Sequence, residues 1–169
     1  KGFIPLDDDV DIAMPRKDYE KFGEIWNKYA DTDHYAYERS DRYYNMHAQC
    51  AGIKANYTTY VRKHNRDDDM NHGIMLDILP LDYLSENPIL HQIQKIDGLL
   101  FGLFNAQRLP LHQGKLTRVA AGMILSVFRS EGIRYKIWRG AEKRLSRFKE
   151  KDCSSLGELT AGVYQTRLV

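Results

Sequence analysis

The chain has 169 residues, of which 43% are hydrophobic and 28% are charged, enough for one folded domain with a sizeable core. A net charge of only +2 argues against a general nucleic-acid-binding protein. Two cysteines, Cys50 and Cys153, are too few for the disulfide framework of a secreted domain, and no apolar run is long enough to span a bilayer. We therefore expect a cytoplasmic protein whose membrane contact, if any, is peripheral and at the inner face.

Four carboxylates occupy five positions in the N-terminal segment, residues 7–11, directly after an apolar stretch. In a strand, alternate side chains point to opposite faces, so Asp7, Asp9 and Asp11 share one face. Like charges this close repel one another, and they stay ionised with the help of divalent cations or wide exposure to water. The segment therefore predicts a row of carboxylates that needs a cation.

Three interpretations of this row compete. A solvated acidic turn is disfavoured by Val10 and Ile12, which suggest a half-buried strand. An EF-hand loop fails because its sixth position would be Ile12 instead of Gly and its twelfth would be Asp18 instead of Glu. We favour a catalytic Mg²⁺ or Mn²⁺ site for phosphate chemistry, in which Asp9 and Asp11 bind the metal.

The segment after the acidic row predicts one helix followed by strands. An apolar stripe at helical spacing extends from about residue 15 to residue 29. Residues 35–60 then have short runs of Tyr, Thr, Ile and Val, which predict two or three antiparallel strands. Lys54 lies among them, and two interpretations are open: a solvated strand lysine or a contact to a phosphate. The acidic run at residues 66–71 lacks apolar alternation and predicts a solvated loop.

A second candidate acid lies in the apolar run at residues 72–82. The run predicts a buried strand that is stopped by Pro80, and a carboxylate inside such a strand is costly unless something compensates it. Asp77 is therefore the natural third metal ligand, although a carboxylate paired with an Arg or capping a turn is the alternative. We interpret Asp82, beyond the proline, as a turn or helix-cap residue.

The second half of the chain predicts three helices, at about residues 89–104, 115–128 and 134–149. The first of them has an apolar stripe formed by Ile89, Ile93, Ile96, Leu100 and Phe104. The third has an apolar side and a basic side, with nine Lys or Arg against three Glu between Arg129 and Lys151. The basic side is either a solvated helix face or a surface for anionic lipid or an anionic polymer.

Two blocks of this sequence resemble the signatures of the LicD family, the phosphocholine transferases of bacterial surface polysaccharides and teichoic acids. They are residues 1–19, which include the acidic row, and residues 73–82, which include Asp77. The resemblance covers about the first half of the chain. Leu6 stands where the family usually has Trp. The family's Gly-Thr-Leu-Leu-Gly segment would precede Lys1, so we expect a chain that begins at Lys1 to bind donor nucleotide weakly.

The resemblance implies an α/β (α+β) fold: a nucleotidyltransferase-like core with a small mixed sheet flanked by helices, shared with fukutin-type sugar-phosphate transferases. We expect this core at residues 1–84, incomplete at its N-terminus, and a helical part of the same domain at residues 85–169, incomplete at its C-terminus. The resemblance also implies roles for the acids. Asp9, Asp11 and Asp77 would be catalytic metal ligands, Asp7 would add to the metal site, and Lys54 falls where the family often has a basic residue.

The expected reaction is the Mg²⁺-dependent transfer of phosphocholine, or a related phospho-alcohol, from CDP-choline or a similar CDP-linked donor. Its acceptor would be a hydroxyl of a cell-surface glycan, a lipid-linked glycan or a teichoic acid precursor. Two alternatives remain open: a nucleotide-sugar glycosyltransferase that uses its Asp-x-Asp pair, and a non-catalytic protein that binds metal or carbohydrate.

Overall fold

The structure, a computed structural model, describes residues 10–48, 50–61, 66–67, 69–109, 114–150, 153, 155–160 and 167–168. Within these residues a mixed six-stranded sheet packs with four α-helices, which confirms the predicted α+β class. The elements, in chain order, are β1 (Asp11–Pro15), α1 (Arg16–Tyr29), β2 (Tyr35–Glu38), β3 (Ala51–Ala55), β4 (Met75–Leu84), α2 (Pro88–Ala106), α3 (Lys115–Val127), α4 (Glu131–Leu145), β5 (Ser155–Glu158) and β6 (Arg167–Leu168).

The sheet is built around β4, its longest strand at ten residues. β1 pairs with β4 in parallel, whereas β3 and β5 pair with it antiparallel. β2 extends the sheet beyond β3, and β6 extends it beyond β5. Strands from the start, the middle and the end of the described chain therefore all depend on one central strand.

Pro80 does not end β4, so that part of the prediction is wrong. β3 pairs with residues Met75 to Ile78 of this strand, and β5 pairs with residues Leu81 to Leu84. Pro80 falls between the two antiparallel ladders, where its missing N–H interrupts neither of them. The strand can therefore continue past the proline.

Helix α1 covers one face of the sheet, as its apolar stripe predicts. Tyr19 is buried against Ala51 and Ile78 of the sheet, and Phe22 packs beside it. Pro15 directly precedes the first helical residue, where its fixed φ suits a helix start. Because Ala51 and Ile78 point toward α1, their sequence neighbours in β3 and β4 point to the opposite face.

The three predicted helices of the second half are confirmed, and they enclose a core of their own. That core consists of Phe101, Phe104, Leu125, Trp138 and Ala141. The chain then returns to the sheet as β5 and β6, which were not predicted. β5 is four residues long and has the sequence Ser-Leu-Gly-Glu, too short to show an alternating pattern. No described helix is long and apolar enough to cross a membrane.

Helix α2 buries only the C-terminal part of its apolar stripe, where Phe104 lies in the core and Leu100 packs against it. Ile89, Ile93 and Ile96 are exposed, and the buried side carries Gln94 and Asp97 instead. The Gln94 amide donates to the Tyr83 carbonyl oxygen and accepts from the Ser85 N–H, so it satisfies backbone groups at the end of β4. These polar contacts, together with the close packing of a glycine in the same helix, turn the polar side of α2 toward the protein and leave its isoleucines exposed.

We expect Gly98→Ala to destabilise the protein, although alanine favours helices by about 1 kcal/mol over glycine. An added Cβ at Gly98 would overlap the backbone carbonyl oxygen of Leu159, which cannot rotate away, and such overpacking typically costs about 1–3 kcal/mol. Urea denaturation measures the change. Gly122→Ala in α3 is the matched control, because its Cβ would meet only Leu109 Cδ2 at an ordinary 3.5 Å. Equal stability changes for the two variants would contradict the packing described here.

Candidate functional site

The register of the sheet brings carboxylates into one row on the face opposite α1. Glu38 pairs with Gly52, Gly52 pairs with Asp77, and Asp77 pairs with Asp11. Register partners on neighbouring strands point to the same face. The row therefore crosses four strands, with three acids and one glycine that leaves a gap between Glu38 and Asp77.

Asp11 and Asp77 are direct partners in the parallel pair of β1 and β4. Neighbouring strands lie about 4.8 Å apart, so the two carboxylates are close enough to hold one cation between them. Asp11 is exposed to solvent and Asp77 is half-buried. The pair thus combines access for a ligand from solution with a partly dehydrated acid.

The other two acids predicted for the metal site, Asp7 and Asp9, lie outside the described residues. Among the residues that the structure does describe, no three His, Cys, Asp or Glu side chains converge as a metal-binding group. Asp11 and Asp77 together account for two of the four predicted ligands. Asp9 is two positions before Asp11 in the sequence, and its role stays a prediction.

Cys50 is buried near this pair of acids. Burial raises the pKa of the Cys50 thiol far above its usual range, and the negative charges of Asp77 and Asp11 raise it further. The thiol therefore stays neutral, in contrast to the thiolate that binds metals. Sequence reasoning gave Cys50 no role, because its position beside the acids follows only from the register of β3 on β4.

Lys54 is almost completely buried, with 1% of its surface exposed, so it is not a solvated strand lysine. Its Nζ lies 2.6 Å from Glu38 Oε2 and donates to the Asn71 carbonyl oxygen at 2.5 Å. The Tyr44 hydroxyl also donates to Glu38 Oε2, at 2.7 Å. Lys54 points to the same face as Asp77, since it is two residues from Gly52 in β3. Its contact with a phosphate stays a prediction.

The second acidic run borders the Glu38 end of the row. Residues 66, 67 and 69 are exposed, as expected of a solvated loop. Burial raises the pKa of Tyr44, and the hydrogen bond to Glu38 and the charge of Asp69 raise it further. The charge of Asp69 therefore acts on Tyr44, which was not foreseen.

Asp82 is a buried ion-pair residue, and its interpretation as a turn or cap residue is wrong. Arg16 donates to its two carboxylate oxygens at 2.8 and 2.7 Å. Burial alone would lower the pKa of Arg16, but the hydrogen bonds and negative charge of Asp82 outweigh it and raise that pKa. Asp82 lies on the α1 side of β4, the face opposite Asp77, so it belongs to the fold and not to the carboxylate row.

The ion pair of Arg16 and Asp82 is part of a larger cluster that joins α1 and β4 to α4. Arg16 Nη1 donates to Glu142 Oε1 at 3.1 Å, and Arg39 Nη2 donates to the same oxygen at 2.6 Å. Arg39 also binds both carboxylate oxygens of Glu20, at 2.6 and 2.9 Å. The cluster fixes α1 and α4 behind the sheet that carries the acids.

Three arginines on the basic side predicted for the last helix have hydrogen-bond or ion-pair partners within the protein. Arg144 pairs with Asp97 at 2.6 Å, Arg139 pairs with Glu142, and Arg134 donates to the carbonyl oxygens of Leu125 and Phe128. Arg144 and Arg134 therefore join α4 to α2 and α3, whereas Arg139 and Glu142 both lie within α4. Lys143 and Arg147 are exposed.

Comparison with known proteins finds a similarity over part of the chain. The chain is similar to the lipopolysaccharide cholinephosphotransferase LicD of Haemophilus influenzae, with 35% identity over 63 residues. The match covers 37% of this chain and 20% of that protein, so the chain spans about one fifth of the length of the relative it matches. No protein-family model matches the chain, and no solved structure matches it significantly. The similarity agrees in part with the resemblance of the two sequence blocks.

Proposed function

We propose that this protein transfers phosphocholine, or a related phospho-alcohol, from a CDP-linked donor to a hydroxyl of a cell-surface glycan or teichoic acid precursor. The observation that carries the proposal is the direct pairing of Asp11 with Asp77 on the face of the sheet opposite α1. The partial similarity to a cholinephosphotransferase supports it. Two adjacent like charges destabilise a sheet, and a bound cation would offset their repulsion.

The donor set suits a hard divalent cation. Asp11 and Asp77 offer carboxylate oxygens, the ligands that Mg²⁺ and Mn²⁺ prefer, and we propose that Asp9 and Asp7 add to them. When bound, Mg²⁺ would neutralise charge on the donor pyrophosphate. Lys54, on the same face as Asp77, is our candidate for a contact to the donor phosphates once its ammonium group leaves Glu38.

The two described acids differ in ways that suit different tasks. Asp11 is exposed and meets the donor from solution. Asp77 is half-buried, and we assign it the proton of the acceptor hydroxyl as that oxygen attacks phosphorus. A bond forms between the acceptor oxygen and the phosphorus of phosphocholine, the bond from that phosphorus to the CMP phosphate oxygen breaks, and CMP leaves.

The test is a donor screen on the full-length protein. We expect Mg²⁺-dependent release of CMP from CDP-choline, or from a CDP-linked analogue, and none with EDTA. UDP-sugars serve as the comparison, and release of UDP would assign the protein to the nucleotide-sugar glycosyltransferases instead. A Mg²⁺-dependent rise in melting temperature without turnover of any donor would identify a non-catalytic binding protein.

A further inference from the structure

Helix α3 exposes most of its apolar side chains to solvent. Within the helix, Ala121 and Leu125 are the buried residues. Leu116, Val119, Met123 and Val127 are exposed by 85%, 57%, 60% and 74%. Their spacing of three and four residues places them on one stripe of the helix. Single exposed apolar residues are ordinary, but a continuous stripe marks an interaction surface.

The C-terminal half of α3 is held firmly to the protein, so the stripe is not a sign of a loose helix. Leu125 packs in the core with Phe101, and the ring of Phe128 meets that of Phe104 edge-on at 5.6 Å. Arg134 Nη2 donates to the Leu125 carbonyl oxygen at 2.9 Å. The protein thus presents the stripe outward from a fixed attachment.

The charged residues of helix α3 are all positive. Lys115, Arg118 and Arg129 lie in or beside α3, and residues 114–130 contain no Asp or Glu, in a chain whose total charge is only +2. At 100° per residue, Lys115 falls beside the apolar stripe, whereas Arg118 falls on the side of Ala121 and Leu125. An exposed apolar stripe on a helix that carries cations and no acidic residue is typical of a helix that lies in the surface of an anionic bilayer.

A second copy of this chain is a poorer occupant of the surface. Two α3 helices that met through the stripe would bring the cations of both copies together with no acidic residue on α3 to offset them, and like-charge contacts oppose association. The helix is 13 residues long, whereas about 20 are needed to span a bilayer. A helix of this length is therefore too short to span a bilayer.

We propose that α3 docks this protein on an anionic membrane surface, with the stripe in the boundary of the acyl chains and Lys115 on the lipid phosphates. The surface is distinct from the basic side of α4, three of whose arginines have partners inside the protein. It is also separate from the carboxylate row, so membrane binding does not depend on the transferase chemistry.

Cosedimentation of the full-length protein with vesicles tests the proposal. We expect binding to phosphatidylcholine vesicles that contain phosphatidylglycerol, and much weaker binding to phosphatidylcholine alone. Raising the salt from about 0.1 to about 1 M shortens the Debye length from about 10 to about 3 Å and should release the protein. Leu116→Ser/Val127→Ser should weaken binding to the anionic vesicles at least about tenfold, since it removes apolar contacts with the acyl boundary.

The matched control is Tyr29→Ser/Tyr43→Ser, which removes two equally exposed apolar side chains elsewhere and should leave vesicle binding unchanged. Circular dichroism confirms that each variant is folded. Loss of binding in Lys143→Glu/Arg147→Glu but not in the α3 variant would overturn the proposal in favour of α4. It is equally overturned if sedimentation velocity without lipid shows a dimer that Leu116→Ser/Val127→Ser dissociates, or if the protein ignores anionic vesicles.

Discussion

Asp77→Asn is expected to lower the rate of phospho-alcohol transfer by at least about 10²-fold, the usual minimum for loss of a general base, with the fold intact. The change keeps the shape of the side chain but removes its charge, so one proposed metal ligand and the proposed base are lost together. Asp11→Asn should have a similar effect, because Asp11 is the register partner of Asp77.

The same two variants should not destabilise the metal-free protein, and their melting temperatures should rise. Asp11 and Asp77 are adjacent like charges, and removing either one relieves their repulsion. The measurement is therefore paired: melting temperature without metal and transfer rate with Mg²⁺. A structural role would predict the opposite pattern, in which the variants unfold and activity falls only as the folded fraction falls.

Asp67→Asn is the control for this pair, because Asp67 lies in the exposed acidic loop. It should change neither the transfer rate nor the melting temperature. Full activity in Asp77→Asn would remove Asp77 from the catalytic site and leave the acidic row without its proposed role.

The second large effect is expected on stability. Arg16→Met should reduce the free energy of unfolding by about 3–5 kcal/mol, the usual cost of removing one partner from a buried ion pair. Arg16 is the residue that binds both oxygens of Asp82, which is 1% exposed. Glu142 keeps Arg39 as a partner, so Asp82 is the main carboxylate left uncompensated. Urea denaturation gives the change.

Two further variants separate charge burial from lost packing. Arg16→Met/Asp82→Leu should recover most of the lost stability, since replacing both partners of a buried pair with apolar residues is often neutral. Lys21→Met breaks an exposed pair with Glu24 at 3.6 Å and should cost no more than about 1 kcal/mol. If Arg16→Met behaved like Lys21→Met, the cluster would not be holding α1 to β4.

Local patterns were sufficient to predict the helices, and the resemblance of two sequence blocks implied the general class of the fold. The apolar stripe of α1 packs on the sheet, as predicted. Asp77 was predicted to be a site residue because a carboxylate inside an apolar strand is costly unless something compensates it. The pairing of Asp77 with Asp11 follows from strand register, which the sequence does not state. Glu38 and Gly52 were missed for the same reason: they join the row only when β2 and β3 are aligned on β4.

The errors came from tertiary contacts that override a local pattern. Ile89 and Ile93 have the spacing of a buried stripe, yet α2 turns Gln94 toward the sheet because unsatisfied backbone groups lie there. A proline normally stops a strand, but Pro80 falls between the part of β4 that pairs with β3 and the part that pairs with β5. Asp82 resembled a turn residue until Arg16, which is 66 positions away, was found beside it.

The dependence of the sheet on β4 has a consequence for how the protein folds. Leu81 pairs with Pro15 on β1 and with Glu158 on β5, so its two partners come from opposite ends of the described chain. Contacts between distant segments slow folding, because a long loop must close before they form. During synthesis β4 emerges long before β5, and its open edge is a template for other strands until the C-terminal segment arrives. We therefore expect this chain to complete its fold only after β5 has been synthesised, and to depend on chaperones when it is overproduced.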